Sequence, residues 1–293
     1  MRSLPVAIAV LFVASACITI TPVAQVTSPP SSAPPTYVAA APTRPPSPSP
    51  STAHDTASPS QTAAPSQSPV PSQTLAPSRT AQPTQAAATI DPNDPACSDD
   101  AFNLEGFHWN TTYRWFFNSS TTPAGLDPDA TLAQIQQAFT NITTEHNDCG
   151  RPDTIVAKAL YMDDTKRTPC TDTPDGVNTV AFGTIPADLS SDVIAYTCPY
   201  YGGPDSDIAY EADIVINDQI PWALSADDCF LQILLQPTIT HEAGHVFGLD
   251  HVSERQHSEL TMSTTINGEC DDDESTLGLG DMLGLESLYK AKS

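Results

Sequence analysis

Three histidines and a glutamate in the run His241-Glu242-Ala243-Gly244-His245-Val246-Phe247-Gly248-Leu249-Asp250-His251 could do metal chemistry. Residues four apart share one face of a helix, so His241 and His245 can offer imidazole nitrogens to one metal ion from successive turns. Glu242 stands beside the first of them, where it can take a proton from water without acting as a ligand. Gly248 can adopt the left-handed backbone conformation that ends a helix, which lets the chain return with His251 as a third ligand. Three protein ligands leave the fourth position of a tetrahedral zinc open for water or a substrate carbonyl. Two histidines on a helix surface would explain His241 and His245 alone. They would not explain Glu242, Gly248 and His251 at these spacings, and the whole set points to zinc-dependent hydrolysis.

These residues need a rigid helix beneath them. The reading places it over 238–248, starting near Pro237, whose ring suits a first turn; a kink at Pro237 within a longer helix is the competing account. Upstream, aromatic and polar residues alternate over 107–117, which predicts a strand. Leu132, Ile135, Phe139 and Ile142 form an apolar stripe at helical spacing within 129–146. Further strands are expected over 154–162, around Val180-Ala181-Phe182, over 191–197 and over 208–216. Strands interleaved with helices make the fold class α/β with a mixed sheet.

The rest of the chain bears on where such a site would work. Arg2 precedes an apolar run from Leu4 to Ala16, too short to span a bilayer and suited to a secretory signal over 1–17. Cleavage after Ala16 is one reading. The other takes Ala14-Ser15-Ala16-Cys17 as a lipoprotein signal that leaves lipid on Cys17 and attaches the protein to a membrane. Residues 18–94 are dominated by Pro, Ser, Thr and Ala and have too little apolar surface to offset the entropy of folding, so they are expected to be a disordered linker. Pro59, Pro65, Pro71, Pro77 and Pro83 recur at a constant interval within it, which suggests extended spacing. Residues 95–293 suffice for one domain with a substantial core. Beyond Cys17 they carry Cys97, Cys149, Cys170, Cys198, Cys229 and Cys270, an even set that favours disulfides in an exported protein while leaving the pairing open. A net charge of -24 argues against nucleic acid or an anionic membrane surface as the main partner.

The complete HExxHxxGxxH pattern resembles the metzincin clan of zinc metalloproteases. Thr261-Met262-Ser263 resembles the Met-turn of that clan, in which Met262 would underlie the zinc histidines. The stretch from Leu279 to Tyr289 resembles the C-terminal helix of the matrixin family. The resemblance implies a mixed, mostly parallel sheet of five strands, an active-site helix, one catalytic zinc held by His241, His245 and His251, and Glu242 as general base. It also implies a secreted or surface-tethered endopeptidase, monomeric, acting on protein or peptide substrates. Glu211-Ala212-Asp213-Ile214-Val215 resembles the antiparallel edge strand along which family members bind an extended peptide, and 264–267 would shape the specificity pocket. Some positions depart from the family. Ten residues separate His251 from Met262, Ser263 stands where an aromatic residue is common, and Gly280 replaces the first of two acidic residues, leaving Asp281 to brace the Met-turn. Cys149-Gly150-Arg151-Pro152-Asp153 matches an inhibitory cysteine pattern but follows the first expected helix, so a disulfide at a turn is the better reading. Asp271-Asp272-Asp273-Glu274 is a candidate calcium ligand set or a solvated acidic loop. A catalytically weak zinc-containing adhesin or peptide-binding module is the alternative to an enzyme.

Overall fold

The computed structural model describes residues 17–20 and 90–291, apart from 92, 188, 190, 191, 203–206 and 267. The expected signal before Cys17 and the linker over 21–89 lie outside the described residues. In chain order, the strands are β1 (Cys17–Ile20), β2 (Asn103–Leu104), β3 (Tyr113–Phe117), β4 (Ala159–Asp164), β5 (Asn178–Gly183), β6 (Val193–Tyr201), β7 (Ala209–Asn217), β8 (Trp222–Ala223), β9 (Ile233–Leu234), β10 (Leu249–Asp250) and β11 (Thr265–Ile266). The helices are α1 (Pro128–Thr143), α2 (Leu235–Val246), α3 (Glu254–His257) and α4 (Leu279–Tyr289).

The main sheet runs β11-β1-β6-β7-β5-β3-β4. Its five larger strands, from β6 to β4, are parallel at every contact except β6 against β7. They make the mixed, mostly parallel five-stranded sheet that was expected. Val180, Ala181 and Phe182 of β5 are all buried, as an apolar run must be in a strand covered on both faces. Helices α1 and α2 pack together against this sheet. Asp127 caps α1 by accepting from the Ala130 N–H at 2.8 Å, a contact worth about 1 kcal/mol. Ile135, Ala138, Phe139 and Ile142 then bury one face of the helix.

Some boundaries differ from the sequence reading, and the side chains explain why. The predicted strand over 107–117 is reduced to Tyr113–Phe117, because the chain ahead of it is held by helix ends instead. The Trp109 N–H donates to the Tyr289 hydroxyl at 3.1 Å, and Trp109 Nε1 donates to the Val246 carbonyl at 2.7 Å. In place of a strand over 154–162, β4 covers Ala159–Asp164, and the Val156 N–H bonds the Tyr289 carbonyl near the end of α4. Helix α1 stops at Thr143 rather than 146 because Glu145 turns into the left-handed region at φ 46°. Its buried carboxylate accepts from the Thr154 N–H at 2.6 Å. Residues 18–20, expected in the linker, belong to β1, a strand that pairs with β6 on one side and β11 on the other.

Three disulfides join Cys97 to Cys149, Cys170 to Cys198, and Cys229 to Cys270. With sequence separations of 52, 28 and 41, each removes about 4 kcal/mol of unfolded-state entropy in a chain-closure account. Such bonds fit an oxidising, extracellular setting. No helix among the described residues is long and apolar enough to cross a membrane.

Candidate metal centre

Helix α2 begins two residues before Pro237, leaving the proline in the first turn, where its missing N–H has no intrahelical partner to lose. The helix is buried along nearly its whole length. It ends at Val246, and the chain turns at Gly248, whose φ is 87° and where a Cβ would lie 2.3 Å from the Phe107 carbonyl oxygen. Both the left-handed backbone and this close approach exclude a side chain. The chain then enters β10, which pairs with β2, and delivers His251 back toward α2.

The three imidazoles converge through Nε2. His241 and His245 are 2.9 Å apart at these atoms, His241 and His251 3.1 Å, and His245 and His251 3.3 Å. Two of the rings are anchored from behind: His241 Nδ1 lies 2.6 Å from the Thr261 carbonyl and His245 Nδ1 2.9 Å from the Leu249 carbonyl. A carbonyl accepts only, so each of these Nδ1 atoms carries the proton and each Nε2 presents a lone pair to the common point. Burial, then the neighbouring imidazoles, hold His241 and His245 well below the usual histidine range, and burial lowers His251. Three neutral rings with converging lone pairs repel one another unless a cation lies between them. Nitrogens bound tetrahedrally to zinc stand about 3.3 Å apart, close to the separations found here. The histidines therefore suit a metal ion chemically as well as geometrically.

Met262 packs on α2, the helix that carries His241 and His245. It is buried, and its Sδ packs so closely on α2 that a Cβ on Gly244 would fall 2.3 Å from it. Asp281, at the start of α4, braces the turn by accepting from the N–H groups of Thr261 at 3.0 Å, Met262 at 3.2 Å and Gly278 at 2.9 Å. Burial pushes Asp281 up to about 6, against the lowering effect of these donors. Within the ten-residue connection from His251, the chain forms α3, and the Ser263 hydroxyl donates to Glu254. The Val252 N–H donates to the Met262 carbonyl at 2.9 Å, so the segment of the third histidine and that of Met262 are tied directly.

Glu242 is fully buried, and its two oxygens are differently placed. Oε2 accepts from the Thr197 hydroxyl of β6 at 2.5 Å, while Oε1 has no hydrogen-bond partner among the described residues. Burial raises Glu242 to about 8, with the Thr197 hydrogen bond acting in the opposite direction. Thr197 did not stand out in the sequence: it is one polar residue in a predicted strand, and only the crossing of β6 over α2 gives it a partner. Glu105 was also missed. Its buried Oε1 lies 3.5 Å from His245 Nδ1, too far for a hydrogen bond but close enough to favour the proton on that nitrogen. Burial, then the Asp250 charge, raises Glu105 to about 8.

The proposed peptide-lining segment occupies a different position from the one expected. Glu211, Ala212, Asp213, Ile214 and Val215 lie in β7, which is flanked by β5 and β6 and offers no free edge. Their carboxylates face inward to serve a loop. Glu211 accepts from the N–H groups of Asp175 and Gly176, and Asp213 from those of Cys170 at 2.8 Å and Thr179 at 2.7 Å. The antiparallel strand beyond β7, toward the Thr197 side of the site, is β6.

Cys149 is bonded to Cys97 and has no free thiol to offer a metal. Asp271, Asp272 and Asp273 bring carboxylate oxygens within 4.8 Å of one another, but acidic clusters on a surface commonly form without an ion, and nothing further marks this one as a calcium site. No family model matches the chain, and a search of curated proteins found no match.

Proposed function

We propose that the chain is an exported zinc-dependent endopeptidase of the metzincin type, acting on extended protein or peptide substrates. The observation that carries this reading is the pairing of two features: three imidazole Nε2 atoms 2.9–3.3 Å apart, and a buried glutamate beside them with one oxygen unpartnered among the described residues. His241, His245 and His251 would hold the zinc. When bound, zinc lowers the pKa of a coordinated water and polarises the scissile carbonyl.

The protein's own residues account for the proton movement. The unpartnered Oε1 of Glu242 accepts the proton of the attacking water and passes it to the leaving amine. The Thr197 hydroxyl holds Oε2, so that the carboxylate keeps one rotamer through both transfers. Asp281 keeps Met262 in register with the histidines. The backbone edge that would align a peptide is that of β6, which β1 covers in this structure.

The test is cleavage of a diverse peptide pool by the zinc-loaded full chain and by its Glu242→Gln variant. Chelator-sensitive cleavage that falls by at least about a thousandfold in the variant, roughly 4 kcal/mol of transition-state stabilisation, is expected, with equal zinc content in the two proteins. Zinc bound stoichiometrically without cleavage by either protein would overturn the enzyme reading and favour a zinc-containing peptide-binding module or adhesin.

A further inference from the structure

Strand β1 occupies an unusual place for a segment that the sequence reads as the junction of signal and linker. It runs antiparallel to β6, with Cys17 opposite Tyr196 and Thr19 opposite Val193. On its other side it runs parallel to β11, with Thr19 opposite Thr265 and Ile20 opposite Ile266. Both neighbours border the metal centre. Tyr196 precedes Thr197, whose hydroxyl holds Glu242, and Thr265 follows Met262, which packs on α2, by three positions. Among the described residues β11 has no other partner in the sheet, so β1 alone joins it to β6.

We propose that β1 is a resident peptide: the chain's own segment Cys17–Ile20 fills the slot between β6 and β11 that an extended substrate would use, and competes with substrate for it. This rests on the peptidase reading of the same site. The local sequence suits the role. Ile18, Thr19 and Ile20 are β-branched, and Pro22 follows within two residues, so a short strand is encoded just where Pro, Ser, Thr and Ala begin to dominate. A strand added at a sheet edge binds through its main chain, which makes it replaceable by other extended peptides. The strand also begins at Cys17, the residue at which the signal reading ends, so removal of the preceding residues would leave the occupant at the mature N-terminus.

The connection back to the domain, over 21–89, sets how strongly the occupant competes. With the random-coil statistics that its composition leads one to expect, a stretch of that length would have a root-mean-square span of roughly 45 Å, which gives an effective concentration on the order of millimolar. An occupant whose intrinsic dissociation constant is about tenfold below that effective concentration would slow the use of dilute substrate about tenfold. Such an occupant keeps activity low while yielding to a substrate that binds longer stretches of β6.

The experiment compares the zinc-loaded full chain with Thr19→Pro, which removes the N–H of the one residue paired on both sides of β1. Ile20→Pro serves as a second variant at the β11 end. Hydrogen exchange of the β6 amides, followed by mass spectrometry, reports occupancy without requiring catalysis. Expected are β6 amides that exchange at least severalfold faster in the variants, β5 and β7 amides that do not change, and a rise of about tenfold in kcat/KM for a dilute peptide with kcat unchanged. A peptide of residues 17–23 added to a variant should restore both the protection and the low rate. Faster β6 exchange without cleavage by any of the proteins would uphold the resident strand and overturn the peptidase reading. Unchanged β6 exchange would overturn the resident strand, and equal cleavage by parent and variants in that case would leave the peptidase reading standing.

Discussion

Replacing Gly244 by alanine tests the contact between α2 and Met262. Helix propensity alone predicts a gain of about 1 kcal/mol, because glycine is a poor interior helix residue. The structure predicts the reverse. The new methyl would lie 2.3 Å from Met262 Sδ and 3.2 Å from Cε, inside van der Waals contact with a side chain that is itself buried. Met262 must then leave its position, at an overpacking cost of about 1–3 kcal/mol, and the net effect of Gly244→Ala is a loss of about 0–2 kcal/mol. Met262→Ala removes both clashing atoms. It costs about 2–5 kcal/mol by itself, but in its background Gly244→Ala should recover the propensity gain of about 1 kcal/mol. The sign of one substitution thus depends on the other, with a coupling of about 1–3 kcal/mol. Urea unfolding followed by far-ultraviolet circular dichroism measures all four proteins, with the disulfides intact and a chelator present to remove metal linkage. Gly244→Ala stabilising the parent, or having the same effect in both backgrounds, would refute the close packing of Met262 on α2.

The remaining predictions concern the groups around the site. Thr197→Val removes the hydroxyl that holds Glu242; losing a hydrogen bond to a charged group costs about 1.5–3 kcal/mol. Steady-state kinetics should therefore show kcat down by roughly 10- to 100-fold with KM and zinc content little changed, and Thr197→Ser should recover most of it; a purely structural role would instead lower the melting temperature along with kcat. Asp213 has its pKa raised by burial to about 7 from an ordinary value of 3.8. A raised native pKa means that its contribution to stability is complete below about pH 4 and is lost as the pH rises through about 7. The melting temperature of the parent relative to Asp213→Asn should accordingly fall between pH 4 and pH 8, and a difference independent of pH would count against the burial. Chelation should lower the melting temperature and added zinc restore it, because a ligand present at about a thousandfold over its dissociation constant contributes about 4 kcal/mol; an unchanged melting temperature would deny the histidines a metal.

What could be read in the sequence was what depends on near neighbours along the chain. His241, His245 and His251 are separated by one helix and one turn, so their types and spacing nearly determine the geometry, and the stripe of α1 is local in the same sense, whereas α4 was expected only from the resemblance of 279–289 to a family helix. The disulfide pairs were not readable, since joining Cys229 to Cys270 depends on how the loop ahead of β9 and the segment after β11 meet in space. Edge identity failed for a more instructive reason. Glu211 and Asp213 alternate with apolar residues, the pattern of a strand with one wet face, yet both carboxylates are buried and occupied by backbone N–H groups from 170–179. A carboxylate that satisfies a loop and one that meets solvent look the same in sequence. Ile18, Thr19 and Ile20 posed the converse problem: three β-branched residues are too few to stand out beside a long biased segment, and they become a strand only because β6 and β11 leave two backbone edges facing one another. Hydrophobic pattern therefore told which residues fit inside a sheet, while the identity of the edge, and so of the surface available to a peptide, depended on hydrogen-bond partners far away in the chain.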